Sequence, residues 1–142
     1  MIREATIEDI PRLMDLAEGF ASTVPEMASF DREIAKKSWI QFINMGAGKI
    51  LILDDYSGML AYMIHPDPYT GELTATEMAW FVDPNKRGRG LLLLIEFEKW
   101  AKAWECKRVV MTLLHTEQSE MLSKLYVRRG YVSRETNYIK DI

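Results

Sequence analysis

The chain has 142 residues, with 18 Lys and Arg against 21 Asp and Glu and a formal net charge of −3. That length suits one domain able to bury roughly 68–70% of its unfolded surface, and 48% hydrophobic with 27% charged residues excludes a disordered polymer. The longest aliphatic run, residues 91–95, is far short of the ~20 apolar residues of a spanning helix, so no membrane role is expected, and the mildly acidic balance gives no general reason to expect nucleic acid as a partner.

A strand-like opening, residues 1–5, runs into a helix start signal. Thr6 is placed to cap, Asp9 stands as its capping-box partner, and Glu8 suits the positive helix end. Ile10, Leu13, Met14 and Ala17 then repeat at helical spacing, and residues 22–29 break the pattern around Pro25. The spacing predicts a second helix after Asp31, with Ala35, Trp39, Phe42 and Ile43 on one face and Asn44-Met45-Gly46 at its end. The middle of the chain predicts antiparallel strands at 49–53, 59–64 and 73–82. They are separated by turn chemistry at 54–58 and by a proline-containing break at 65–71, and the last is stopped by Asp83-Pro84. Beyond the basic glycine segment 85–90, the pattern predicts a helix at 91–104. Its apolar face is made by Leu91, Leu94, Ile95, Phe97, Trp100, Ala101 and Trp104. A strand at 108–114 and a helix at 117–129 follow, the helix closed by Gly130 where a left-handed residue is needed. Short strands at 131–133 and 138–140 complete the chain. The order β-α-α-β-β-β-α-β-α-β-β is a mixed α/β (α+β) class, a mostly antiparallel central sheet flanked by helices in a single domain.

The segment with the most chemistry is Val82-Asp83-Pro84-Asn85-Lys86-Arg87-Gly88-Arg89-Gly90-Leu91. A strand ends, a loop with two glycines follows, and a long apolar helix begins. Glycines there let backbone N–H groups converge, the helix start adds a positive dipole end, and Lys86, Arg87 and Arg89 add cations. Such a segment suits a polyanion such as a pyrophosphate. A P-loop is absent, since no Gly-Lys-Ser/Thr follows at the required spacing, and a dinucleotide fingerprint would need glycine where Leu93 stands. A nucleic-acid arm has nothing aromatic or basic to extend it. Taken alone, an Arg-Gly-Arg-Gly run is more often a turn with solvated charges.

The layout of the whole chain resembles the GNAT superfamily of acyl-CoA-dependent N-acetyltransferases. Residues 2–10, Ile-Arg-Glu-Ala-Thr-Ile-Glu-Asp-Ile, resemble the family's opening strand and first helix. Arg87-Gly88-Arg89-Gly90-Leu91-Leu92 resembles its Arg/Gln-x-x-Gly-x-Gly/Ala pyrophosphate loop, preceded by Val82 and Pro84 as Val-x-Pro. Leu125-Tyr126-Val127-Arg128-Arg129-Gly130-Tyr131 resembles its Leu-Tyr-x-x-x-Gly-Phe signature. The resemblance implies a GNAT-like fold, acetyl-CoA as co-substrate, a primary amine of a small molecule or protein as acceptor, and direct transfer between them. It implies that backbone N–H groups from Gly88 to Leu92 hold the pyrophosphate, with the backbone of Phe81 and Val82 pairing with the pantetheine arm as an added strand. The chain departs from the family at Leu92, usually Gly or Ala, and at Ser119 and Leu122, where Asn and Ala are common; Ser119 is carried over as a coenzyme contact. The family is often dimeric, which leaves a homodimer open.

Acetyl transfer to an amine needs a neutral nucleophile, donors for the oxyanion and a proton for the leaving thiolate. By the resemblance Tyr126 is the acid, because a phenol with reference pKa near ~10 is protonated at neutral pH; packing with Leu122, four residues away on one helix face, is the competing explanation. Glu77 is the candidate base. Regular alternation sends it to the face of Ala79 and Phe81 unless a bulge intervenes, with a solvated sheet edge as the alternative. Glu72 is a weaker second, read as a turn residue. His65 and His115 fit surface or capping roles. One cysteine, Cys106, excludes an internal disulfide, and with two histidines no Cys/His metal site is expected. A reduced, cytoplasmic setting is consistent with that cysteine usage. A catalytically silent GNAT-like domain that binds CoA or a protein partner is the alternative function. The acceptor-facing segments implied by the resemblance are residues 20–42, where Pro25, Glu26, Met27, Phe30 and Asp31 form an apolar wall with some acid, and the late strands.

Overall fold

The fold is that of a computed structural model, which describes residues 1–86 and 88–142, with Glu26 described for its backbone alone. Its centre is a five-stranded sheet in sequential order: β1 (Ile2–Glu4), β2 (Gly48–Leu53), β3 (Gly58–Pro66), β4 (Leu73–Val82) and β5 (Arg108–Val110). The first three pairings are antiparallel and that of β4 with β5 is parallel. The central strands are covered on both faces, which is why β2 reads as a near-continuous aliphatic run instead of alternating with polar residues.

One face packs on α1 (Ile10–Ala21) and α2 (Arg32–Asn44). Ile10, Leu13, Met14 and Ala17 form the buried stripe of α1 and join Ile50, Ile52, Met59, Ala61, Ala79 and Phe81 in one core. Pro11 sits in the first turn of α1, where its missing N–H costs nothing. Asp31 caps α2, its Oδ1 accepting from the Glu33 and Ile34 amides at 3.0 Å each. A Cβ on Gly48 would lie 2.6 Å from the Phe42 carbonyl oxygen, so the closeness of α2 to β2 requires glycine there.

The opposite face takes α3 (Gly90–Ala103) through Leu93, Leu94, Phe97 and Ala101. This stripe differs from the predicted one: Leu91 and Trp104 are exposed, and Leu93 is buried in their stead. A helix of this length is marginal alone, and burying Leu93, Leu94 and Phe97 contributes about 1.5–3 kcal/mol each. Tyr62 of β3 is fully buried with its ring 4.7 Å from that of Phe97, and its hydroxyl has no hydrogen-bond partner among the described residues. Burial raises its pKa above the ordinary tyrosine value. An unpaired buried hydroxyl is destabilising, so Tyr62→Phe is expected to raise the unfolding free energy by about 1 kcal/mol. Denaturant titration checks it; a clear loss of stability would show that the hydroxyl has a partner.

Residues Met1–Thr112 and Leu113–Ile142 form two compact units. The first contains the sheet and α1 to α3. The second contains α4 (Ser119–Arg128), which ends as the sequence predicts. Gly130 takes φ +91, its amide donates to the Val127 carbonyl at 3.0 Å, and the Tyr131 amide donates to the Tyr126 carbonyl at 2.9 Å. The strands predicted at 131–133 and 138–140 do not form. Three-residue strands persist only through ladder partners and burial, whereas Val132, Tyr138 and Ile139 are exposed. The strand predicted at 108–114 is likewise shortened to Arg108–Val110. Among the described residues, no helix is long and apolar enough to cross a membrane.

Candidate functional site

Glu77 lies on β4 where two irregularities of the sheet coincide. Ala79 pairs with Ala61, but the next pair is Glu77 with Tyr62, so Met78 is an extra residue in β4. Paired residues share a face, and the bulge therefore takes Glu77 off the face of Ala79 and Phe81 to which regular alternation assigned it. The parallel pairing of β4 with β5 runs only from Thr74–Arg108 to Thr76–Val110. Beyond it, among the described residues, β4 from Glu77 to Val82 has a strand partner on its β3 side alone. Glu77 stands at this fork. Its Oε2 accepts a hydrogen bond from the Thr112 amide at 3.1 Å, on the chain leaving β5.

Glu77 is only 8% exposed, which excludes the solvated-edge alternative. Burial pushes its pKa up to about 7, with the Thr112 hydrogen bonds opposing the rise. A carboxyl with that pKa is divided between its two protonation states near neutrality. That is the property required of a base that must take up and release a proton.

Past its pairing with β5, β4 leads into the basic glycine loop. Phe81 is buried, its ring stacked on Phe20 at 4.3 Å, and Val82 is half-buried. The Asn85 amide donates to Asp83 Oδ1 at 2.9 Å and the Lys86 amide to the Asp83 carbonyl at 2.8 Å, shaping the turn at Pro84–Lys86. Gly88 takes φ +94, a left-handed conformation that favours glycine. A Cβ on Gly90 would stand 3.1 Å from Val82 Cγ2 and 3.4 Å from Trp80 Cζ2, so glycine allows α3 to begin tight against β4. Leu91 and Leu92 are exposed at the start of α3, and the Leu92 amide donates to the Arg89 carbonyl at 3.1 Å. Arg87 lies outside the described residues.

The loop's other cations converge on a residue that the sequence did not single out. Asp55, in the turn between β2 and β3, accepts from Lys86 Nζ at 3.1 Å and from Arg89 Nη1, both on Oδ2. Its Oδ1 accepts from the Ser57 amide at 3.1 Å and from the Ser57 hydroxyl, while Arg89 Nη1 also donates to Ser57 Oγ at 3.2 Å. Hydrogen bonds from Ser57, Lys86 and Arg89 hold the Asp55 carboxyl well below the usual range.

In the second unit, Tyr126 is buried on α4 with its ring centroid 5.5 Å from that of Tyr131. The Ser119 hydroxyl accepts from the Thr116 amide at 2.7 Å and faces the Leu114 and Thr116 carbonyls at 2.8 Å, closing the turn into α4. In the first unit, β3 extends into the predicted break as far as Pro66, and His65 there meets Thr76 Oγ1 through Nε2 at 2.7 Å. His115, in the second unit, and Glu72, in the first, are exposed. Cys106 is a free thiol whose pKa is raised by burial. Near the end of α1 an open recess is lined by Glu18 and by Ala21, Val24, Pro25, Met27 and Phe30, the last five within the segment 20–42 predicted to face an acceptor.

No protein-family model matches the chain, and no curated protein matches it. Solved structures do. A GNAT family acetyltransferase of Staphylococcus aureus superposes with a TM-score of 0.73 at 17% identity, covering 100% of this chain and 98% of the other. A ribosomal-protein-alanine N-acetyltransferase of Brucella melitensis gives 0.78 at 16% identity, covering 100% and 98%. A transcriptional regulator of Bacillus halodurans gives 0.82 at 18% identity, covering 100% and 99%. The chain has the GNAT fold.

Proposed function

We propose that this protein is an acetyl-CoA-dependent N-acyltransferase acting on a primary amine. The observation that carries the reading is a buried carboxyl, Glu77, at the fork where β4 parts from β5 and directly upstream of a glycine-bearing cationic loop. A solvated turn with incidental charges needs none of these features.

The residues present fit the coenzyme. The left-handed Gly88 and the close-set Gly90 permit a phosphate to approach the backbone at the start of α3, and Lys86 and Arg89 supply charge. Among the described residues, Phe81 and Val82 have a strand partner on the β3 side alone, an arrangement that suits strand addition by an extended chain. Leu91 follows in the same turn, and Arg87 and Ser119 are assigned to coenzyme binding from the sequence resemblance. Bound acetyl-CoA supplies the acyl thioester. Glu77 takes the proton that the amine nitrogen loses as it bonds to the acyl carbon, and Tyr126 gives its phenolic proton to the sulfur as the carbon–sulfur bond breaks. The acceptor is assigned to the recess near Met27 and Phe30, where Glu18 at the rim is ion-paired with Arg32 at 3.2 Å. The setting is cytoplasmic, where Cys106 stays reduced.

Calorimetric titration with acetyl-CoA and CoA, followed by thiol-release assays against an amine panel, tests the proposal. Saturable coenzyme binding with amine-dependent thiol release is expected. Binding without turnover on any amine would favour a catalytically silent coenzyme-binding domain, and no binding at high micromolar coenzyme would overturn both.

A further inference from the structure

We propose that Asp55 is a built-in competitor of the coenzyme's phosphates, a carboxylate that holds Lys86 and Arg89 in the free protein and sets how tightly the loop binds a polyanion. The inference rests on the acyltransferase reading for the identity of that polyanion. Two cations, from either side of Gly88, converge on one anionic oxygen, Asp55 Oδ2. That is how a phosphate oxygen is held, with the protein's own side chain standing in its place.

The carboxylate is aimed there by its turn. Both Ser57 donors occupy Oδ1, which leaves Oδ2 to the cations. The next residue, Tyr56, sits at φ +58, a conformation that a bulky L-residue adopts at a cost. It is held from the other side: its hydroxyl donates to the buried Asp9, which Arg3 engages through two bonds of 2.8 Å, and the Arg12 guanidinium lies 4.1 Å from its ring centroid. The Asp83 amide donates to the Ser57 carbonyl at 2.8 Å, tying the turn to the base of the loop. Asp55 therefore reaches the loop from a braced position, and phosphates drawing on Lys86 or Arg89 must displace it.

Asp55→Asn separates the charge from the turn, because the amide oxygen still accepts from Ser57 while the negative charge is gone. Titrated at low salt, the variant is expected to bind CoA about two- to fivefold more tightly than wild type, the scale of a partly exposed ion pair. Pantetheine, which lacks phosphates, should bind both alike, and Lys86→Gln should shrink the gain. Equal or weaker CoA binding by folded Asp55→Asn would overturn the proposal, as would an equal gain for pantetheine. Inorganic pyrophosphate separates the two readings. If no form binds CoA but the variant binds pyrophosphate more tightly than wild type, the acyltransferase reading falls and this one stands. If CoA binds wild type and variant alike, this one falls alone.

Discussion

Glu77→Gln is expected to lower kcat by about 10²–10⁴-fold, the usual contribution of a general base, and yet to stabilise the folded protein above neutral pH. Both effects come from the same burial. The folded carboxyl has a pKa of about 7 against an ordinary 4.5. At pH values below the ordinary pKa it is protonated whether the chain is folded or not. Between the two pKa values the unfolded chain has given up this proton and the folded chain retains it, so stability falls as pH rises. Above the folded pKa the loss is complete, at about 3 kcal/mol. Glutamine carries no charge to desolvate and can still accept from the Thr112 amide, so its stability does not decline across that window. Denaturant unfolding from acid to alkaline pH checks the first part: the wild-type curve should drop where the variant's stays level, and parallel curves would deny the burial cost. The second part is read from kcat/KM, whose rising limb near neutrality should vanish with the carboxyl. An undiminished rate would remove Glu77 as the base.

The placement of Glu77 marks the limit of what alternation could reveal. The helices, β1 to β4 and the left-handed Gly130 are written in local patterns: the aliphatic run of β2, the spacing of Ile10, Leu13, Met14 and Ala17, and the glycine closing α4. The bulge at Met78 is not local. Glu77, Ala79 and Phe81 continue a regular alternation, and only the register against Tyr62 and Ala61 breaks it. Asp55 was hidden for a related reason. Asp-Asp-Tyr-Ser-Gly is adequate turn chemistry by itself, and the carboxylate's cationic partners are 31 and 34 positions along the chain. The doubled aspartates were the available signal, but turns use them so often that the signal does not discriminate. The late strands failed in the opposite direction. Tyr131, Val132, Tyr138 and Ile139 have strong strand preference, but preference without a ladder partner does not make a strand.

Tyr126→Phe is expected to lower kcat by about 10²-fold with little change in the KM for acetyl-CoA, because the proton is needed only as the thiolate departs. Phenylalanine preserves two contacts of Tyr126, the carbonyl that accepts from the Tyr131 amide at 2.9 Å and the ring against Tyr131. A structural role of the hydroxyl and a catalytic one are separated by the leaving group. A departing alkyl thiolate, with reference pKa near ~8.5, gains from protonation by a neighbouring phenol. A more acidic thiol leaves without that help. Acyl donors of falling thiol pKa should therefore restore the Phe variant toward wild type, and the variant's deficit should persist with the natural donor. A deficit equal for all donors would assign the hydroxyl to packing or positioning, and an unchanged rate across pH would remove Tyr126 as the acid. Combined with Glu77→Gln, the two losses should multiply if base and acid contribute independently to one rate-limiting transition state. If the second substitution costs little once the first is made, the groups act as a unit or in successive steps of which one limits the rate, and the division of labour between Glu77 and Tyr126 follows from which single loss the double variant matches.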